Sequence, residues 1–165
     1  MTTISDVQAR TLIEEIAKDL KDTKKVKAPE FTAYVKTGSH RERAPVREDW
    51  WYVRMGSILR KTYIEGHVTV NALRNYYGGK KRRGTRPPIF RQAGGKIIRT
   101  ALQDLEKLGF IKITENKKGR IITPAGQKYM DKIAAKIYKE ANPDKKPHTS
   151  IKKQKKEETP TEVTE

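Results

Sequence analysis

The sequence predicts a mainly α fold: a winged-helix-like helical domain with additional N-terminal helices and a short two-stranded hairpin. Three observations carry this reading. Apolar residues recur at helical spacing along most of the chain. Two β-rich runs, Phe110-Ile111-Lys112-Ile113 and Arg120-Ile121-Ile122, flank a turn at Glu115 to Gly119. The order helix (69–77), loop, helix (95–108), hairpin (110–122) is that of a helix-turn-helix followed by its wing.

The first helix follows Ser5 and Gln8, which have the spacing of a capping box, and carries Ala9, Leu12, Ile13, Ile16, Ala17 and Leu20 inward. Pro29 opens a short helical turn that brings Phe31, Tyr34 and Val35 to the core, and Gly38 closes it. Residues 38–48 read as a basic connecting loop containing His40, Arg41, Arg43, Pro45 and Arg47. Asp49 is the expected N-cap of a helix over about 50–65. At roughly 100° per residue, Trp51, Met55, Ile58, Leu59 and Thr62 share its core face. Arg47, Trp50, Arg54, Ser57 and Lys61 fall within an arc of about 80° on the other side.

Thr69 starts the next helix, with Val70, Leu73 and Tyr76 or Tyr77 inward, and Gly78-Gly79 stops it. Gly84, Pro87 and Pro88 are expected to keep the following basic stretch out of regular structure. Periodicity resumes after Gly95 through Ile98, Ala101, Leu102, Leu105 and Leu108, with Gly109 at C′. Thr123 and Pro124 launch a last helix through Met130, Ile133, Ala134, Ile137 and Tyr138. Residues 1–142 form the expected domain. From 143 to 165 only Ile151 and Val163 are large aliphatics, a composition that predicts a disordered charged tail.

The chain has 165 residues, a net charge of +17 and no cysteine. That length suits one domain with a tail, and the missing cysteines exclude disulfide scaffolds and thiolate metal sites. No apolar run approaches a membrane span and no signal peptide is evident, so a cytosolic protein without a membrane is expected. In the tail six lysines face five acids, so the positive charge belongs to the folded part. Such charge is self-repelling unless an anion lies against it, and nucleic acid is the anion that fits.

The densest charge lies between Gly78 and Arg99. Lys80, Lys81, Arg82, Arg83, Arg86, Arg91, Lys96 and Arg99 occur there without one acid. Arginine forks pair with phosphate, and interleaved glycines allow close approach. Trp50 on the basic arc of its helix is a candidate to stack an unpaired base or a ribose. Enzyme motifs fail. Gly94-Gly95-Lys96 ends like a phosphate loop, but Ile97 replaces the required hydroxyl residue. His40, His67 and His148 are scattered singly, and no carboxylate cluster could hold a metal inside the basic segment. No catalytic residue, cofactor or metal site is expected.

Four groups of residues give the chain a recognisable resemblance. They are Asp49-Trp50-Trp51-Tyr52-Val53-Arg54 with Arg60 and Tyr63; Tyr76-Tyr77-Gly78-Gly79-Lys80 with the arginine run; Leu102-Gln103-Asp104-Leu105-Glu106; and Arg120 through Gln127. Over about residues 4–141 the sequence resembles the S-nineteen-e family of archaeal and eukaryotic small-subunit ribosomal proteins. The resemblance implies a helical, winged-helix-like fold with a small hairpin, a seat on ribosomal RNA of the small-subunit head, and a part in subunit maturation. It carries an RNA-binding role to Trp50, Arg54, Arg60, the basic residues of 80–91 and Arg99. Arg47, Lys61 and Lys96 join the candidate surface on helical position and charge alone. Expected partners are small-subunit ribosomal RNA and neighbouring ribosomal proteins, with a monomer when free and a ribosomal, cytoplasmic location. The main alternative is a winged-helix transcription regulator, which would insert helix 95–108 into a DNA major groove. A second is a protein-interaction adaptor.

Overall fold

The computed structural model describes residues 2–23, 26–115 and 118–142. The tail expected at 143–165 lies outside them. The elements run α1 (Ala9–Asp22), α2 (Trp50–Glu65), β1 (His67–Val68), α3 (Val70–Tyr76), β2 (Gly79–Arg83), β3 (Arg86–Arg91), α4 (Gly95–Lys107), β4 (Ile111–Ile113), β5 (Arg120–Ile122) and α5 (Pro124–Ala141). Single 3-10 turns occupy Ile4–Asp6 and Glu30–Ala33.

From α2 onward the chain follows winged-helix topology. α2, α3 and α4 are its three helices, and β4 and β5 form the wing, antiparallel with Ile111 opposite Ile122. β1 adds to the other edge of β5, giving the strand order β1-β5-β4. The sheet thus has three strands rather than the expected two. A two-residue strand such as His67–Val68 carries no sequence signal of its own, because it exists only where a neighbouring strand satisfies its backbone.

α2 is the central element. Trp51, Met55, Ile58 and Leu59 are fully buried among Leu12 and Ile16 of α1, Leu102 and Leu105 of α4, and Met130 of α5. Burial of a large aliphatic or aromatic side chain contributes about 1.5–3 kcal/mol, so this contiguous cluster is what fixes the helices. The Thr62 hydroxyl, buried on the same face, is satisfied by donating to the Ile58 carbonyl at 2.9 Å. Thr69 and Thr123 cap α3 and α5 as expected, accepting from Ala72 N at 3.2 Å and Gly126 N at 3.1 Å.

Several local expectations are corrected. The first reciprocal cap uses Thr3 and Asp6 instead of Ser5 and Gln8: Thr3 N donates to the Asp6 carboxylate at 2.7 Å, and a 3-10 turn precedes α1. Tyr34 is 74% exposed, because the turn after Pro29 ends before it, while Phe31 and Val35 do pack on the core. Asp49 sits at the N-cap position of α2, but its carboxylate takes hydrogen bonds from Arg47 rather than capping the helix.

The largest correction concerns the basic stretch after Gly78. It is an antiparallel hairpin, β2–β3, with Lys80 opposite Phe90 and Lys81 opposite Ile89. Gly84 turns it with φ 69°, and an irregularity between Lys81 and Arg83 accommodates the two prolines. Proline is tolerated because neither strand has a second neighbour to serve. The Arg83 guanidinium, donating twice to the Pro87 carbonyl at 2.7 and 2.9 Å, holds the strands together where regular pairing fails.

Trp51→Ala should destabilise the fold by about 3–5 kcal/mol. Urea denaturation followed by circular dichroism checks this; a loss below 1 kcal/mol would mean the indole is not a core anchor.

Candidate nucleic-acid interface

The site is assembled where α2, the loop at 38–48 and the root of the β2–β3 hairpin meet. The hairpin root is bound to α3. Ala93 N donates to the Arg74 carbonyl at 3.0 Å, Arg74 Nε to the Ala93 carbonyl at 3.3 Å, and Gln92 to Asn75 at 2.7 Å. Gly78 is needed here, since a Cβ would lie 2.6 Å from the Phe90 ring and 2.8 Å from the Arg91 carbonyl. On the other side, Gly94 N donates to the Thr37 carbonyl at 2.9 Å, and Gly38 bridges to Ala93. These bonds lay the loop at 38–48 against the hairpin. The His40 ring fills the gap, packed on Gly38 and Gly79. Burial, with Arg41 and Arg54 nearby, lowers its pKa, which keeps the imidazole neutral.

On α2, the Arg54 guanidinium lies 4.1 Å above the centre of the Tyr77 ring. Tyr77 in turn shares a 2.7 Å hydroxyl hydrogen bond with Ser57, one turn further along α2. Burial lowers the Arg54 pKa from the usual arginine value and raises that of Tyr77; the charge of Arg41 also acts against that of Arg54. Arginine nevertheless stays charged at neutral pH. Among the described residues, no carboxylate pairs with Arg54 or with Arg60, and Arg60 Nε is buried without a hydrogen-bond partner. A desolvated cation without an acid is costly on its own and favours an incoming anion.

Beside Arg54 lies a cavity of about 490 Å³, bordered also by Arg41, Arg43 and Trp50. Arg41 and Arg43 go on to line an adjoining cleft with Lys80 and Arg82, and these two line a third with Arg83 and Arg86. Neighbouring clefts share wall residues, so cations of α2, the loop and the hairpin line one run of adjoining clefts, hereafter the groove. Glu42 is the acid within it.

The other candidates from sequence are placed differently. Trp50 is half-buried: its indole N–H donates to the Thr32 carbonyl at 3.2 Å and its ring meets Trp51 edge-on at 5.8 Å. One side of it still borders the cavity. Arg47 pairs with Asp49 at 2.9 Å and Glu14 at 3.5 Å, and the Asp49 bond raises its pKa. Lys61 pairs with Glu65 at 2.7 Å while lying over the Tyr76 ring. Lys96 lies over Phe31 at 4.8 Å, and Arg99 is exposed on α4; neither lines the groove. Lys81 is a half-buried residue of β2, and Arg91 is exposed at the end of β3.

The family model described as ribosomal protein S19e matches residues 3–140. The chain belongs to the ribosomal protein S19e family. It is 42% identical to the small ribosomal subunit protein eS19G of Ascaris suum, over 82% of this chain and 92% of that one. The eS19 proteins of Aeropyrum pernix and Thermoplasma acidophilum are 41% and 37% identical, each alignment covering 85% of this chain and 92% of the relative.

In this S19e member Arg41 and Arg43 line the clefts, although sequence reading does not single them out as candidates. The signal was present, since the loop at 38–48 combines arginines with Gly38 and Pro45 just as the hairpin segment does. The sequence shows a basic connecting loop there, but nothing in it announces the bond between Thr37 and Gly94 that brings the loop to the hairpin.

Gly78→Val should detach the hairpin root from α3, at a cost of about 1–3 kcal/mol of overpacking. Amide exchange at Lys80 and Lys81 would then speed up while α5 amides hold their rates. Unchanged exchange at both lysines would contradict the close approach at Gly78.

Proposed function

We propose that this chain is a structural component of the small ribosomal subunit, where it holds ribosomal RNA in the groove between α2, the loop at 38–48 and the β2–β3 hairpin, and serves subunit assembly. The observation that carries this reading is Arg54: half-buried, stacked on Tyr77, unpaired by any carboxylate among the described residues, and opening on a groove lined by further arginines and lysines. The relatives are small ribosomal subunit proteins by name, and the cationic groove is the surface on which RNA backbone would lie.

Within the groove Arg54, Arg41, Lys80, Arg82, Arg83 and Arg86 bind phosphates. Arg60, Lys81, Arg91, Lys96 and Arg99 line none of these clefts and bind phosphate where the RNA runs beyond them, and Arg47 and Lys61 only after giving up their carboxylates. No step of bond making is required of any of them, and the protein is not an enzyme. Neighbouring ribosomal proteins are further partners. Free of the ribosome the protein is a monomer, and its place is the cytoplasmic ribosome. Among the described residues no helix is long and apolar enough to cross a membrane.

A winged-helix DNA regulator is not supported. The turn of a helix-turn-helix is short, whereas here the β2–β3 hairpin stands between α3 and α4.

Arg54→Ala should leave the circular-dichroism spectrum unchanged and weaken binding to small-subunit RNA. Its plot of log affinity against log salt should flatten by about 0.7–0.9, the loss of one phosphate contact. Arg47→Ala, removing an ion-paired cation, should change the slope less. A parent slope near zero would rule the reading out.

A further inference from the structure

The cavity beside Arg54 has features that phosphate binding does not use. Its walls are apolar: Pro45 and Val46 from the loop, Trp50 and Val53 from α2. Val46 is 97% exposed, so its side chain is free to be covered by a ligand. Arg41, Arg43 and Arg54 line the same cavity. An A-form duplex offers such a surface phosphates, ribose hydroxyls and the edges of paired bases, none of which enters a recess with apolar walls. An unpaired nucleotide offers both halves of what is needed, an apolar base for the walls and a phosphate for the arginines.

We propose that this cavity receives the base of one unpaired RNA nucleotide, whose phosphate lies on Arg54 and Arg41; the proposal rests on the RNA-binding reading above and names the ligand of that site more closely. The dimensions fit, because about 490 Å³ is within the range of small-molecule pockets and well beyond a gap left by imperfect packing. The wall is also preformed. The hydrogen bond from Trp50 Nε1 to Thr32 and the edge-on contact with Trp51 fix the indole before any ligand arrives, which lowers the entropy cost of binding. The remaining polar lining includes the Ser57 and Tyr77 hydroxyls, bonded to each other at 2.7 Å. A hydroxyl donates or accepts as needed, so these two discriminate weakly among the four bases. The pocket therefore selects for an unpaired base rather than for a particular one. An apolar side chain of a neighbouring protein would fit the walls but leaves the three lining arginines without an anion, and RNA is the better match.

The experiment compares three RNAs of equal length: an uninterrupted duplex, the same duplex with one bulged adenosine, and that duplex with an abasic residue at the bulge. Affinities are measured at several salt concentrations, with the Trp50 indole N–H followed by nuclear magnetic resonance. The bulged adenosine should bind about tenfold more tightly than the abasic bulge, a ratio within reach of one stacked base. The Trp50 signal should move with the adenosine and not with the abasic RNA. Val46→Gly, altering an exposed wall residue without changing charge, should reduce the ratio and leave duplex affinity as it was. Equal binding of adenosine and abasic bulges overturns the proposal, as does a preference that moves neither the Trp50 signal nor responds to Val46→Gly. Loss of entry into small subunits by Val46→Gly, with no base preference on RNA, would assign the cavity to a protein neighbour instead. Salt-insensitive or absent binding of all three RNAs would strike down the RNA-binding reading itself.

Discussion

The contact between the Arg54 guanidinium and the Tyr77 ring holds the functional side of this molecule together. It joins α2, whose opposite face carries the core, to the end of α3, from which the hairpin departs. A guanidinium out of water is unfavourable without compensation, and the aromatic face supplies part of it. The hydroxyl bond between Tyr77 and Ser57 fixes that ring against the same helix. Among the described residues no carboxylate pairs with Arg54, and on the proposed reading an RNA phosphate completes the charge. Core and site are thus built on one helix: the packing of Trp51, Met55 and Ile58 sets the rotation at which Arg54 faces the groove.

The second constraint is electrostatic. Arg41, Arg43, Lys80, Arg82 and Arg86 are gathered along adjoining clefts with one intervening acid. Like charges at such density oppose folding of the free protein. The backbone bonds from Gly94 to Thr37 and from Ala93 to Arg74 hold them in place nonetheless. This explains why the turn of an otherwise ordinary helix-turn-helix is expanded into a ribbon. A short turn could not present a row of cations at the edge of α2, whereas a hairpin anchored at its root can.

Much of this was legible in the sequence, for reasons that differ by element. α2 was readable because Trp51, Met55, Ile58, Leu59 and Thr62 all obey one helical period and all are buried. The wing was readable from its isoleucines, and α3 and α5 from their threonine caps. The hairpin at 79–91 was not, because Pro87 and Pro88 read as breakers and its strands have no apolar alternation. Part of its closure is the clasp from Arg83 to the Pro87 carbonyl, which no local pattern announces. Arg54 could be singled out from its position on the helical arc, and the family from the order of its motifs. The inclusion of Arg41 and Arg43 follows from a tertiary bond between Thr37 and Gly94, distant in sequence, and so needed the fold. The same arc placed Arg47 and Lys61 beside Arg54, but spacing says nothing of the carboxylates that occupy them.

The most direct test of the central claim is chemical footprinting of arginines and lysines in the protein alone and seated in the small subunit. Seating should shield Arg41, Arg54, Lys80, Arg82 and Arg86 together, while Lys112 on the wing and Lys128 on α5 stay reactive. Groove cations that remain as reactive as in the free protein, with Lys112 and Lys128 shielded instead, would contradict it.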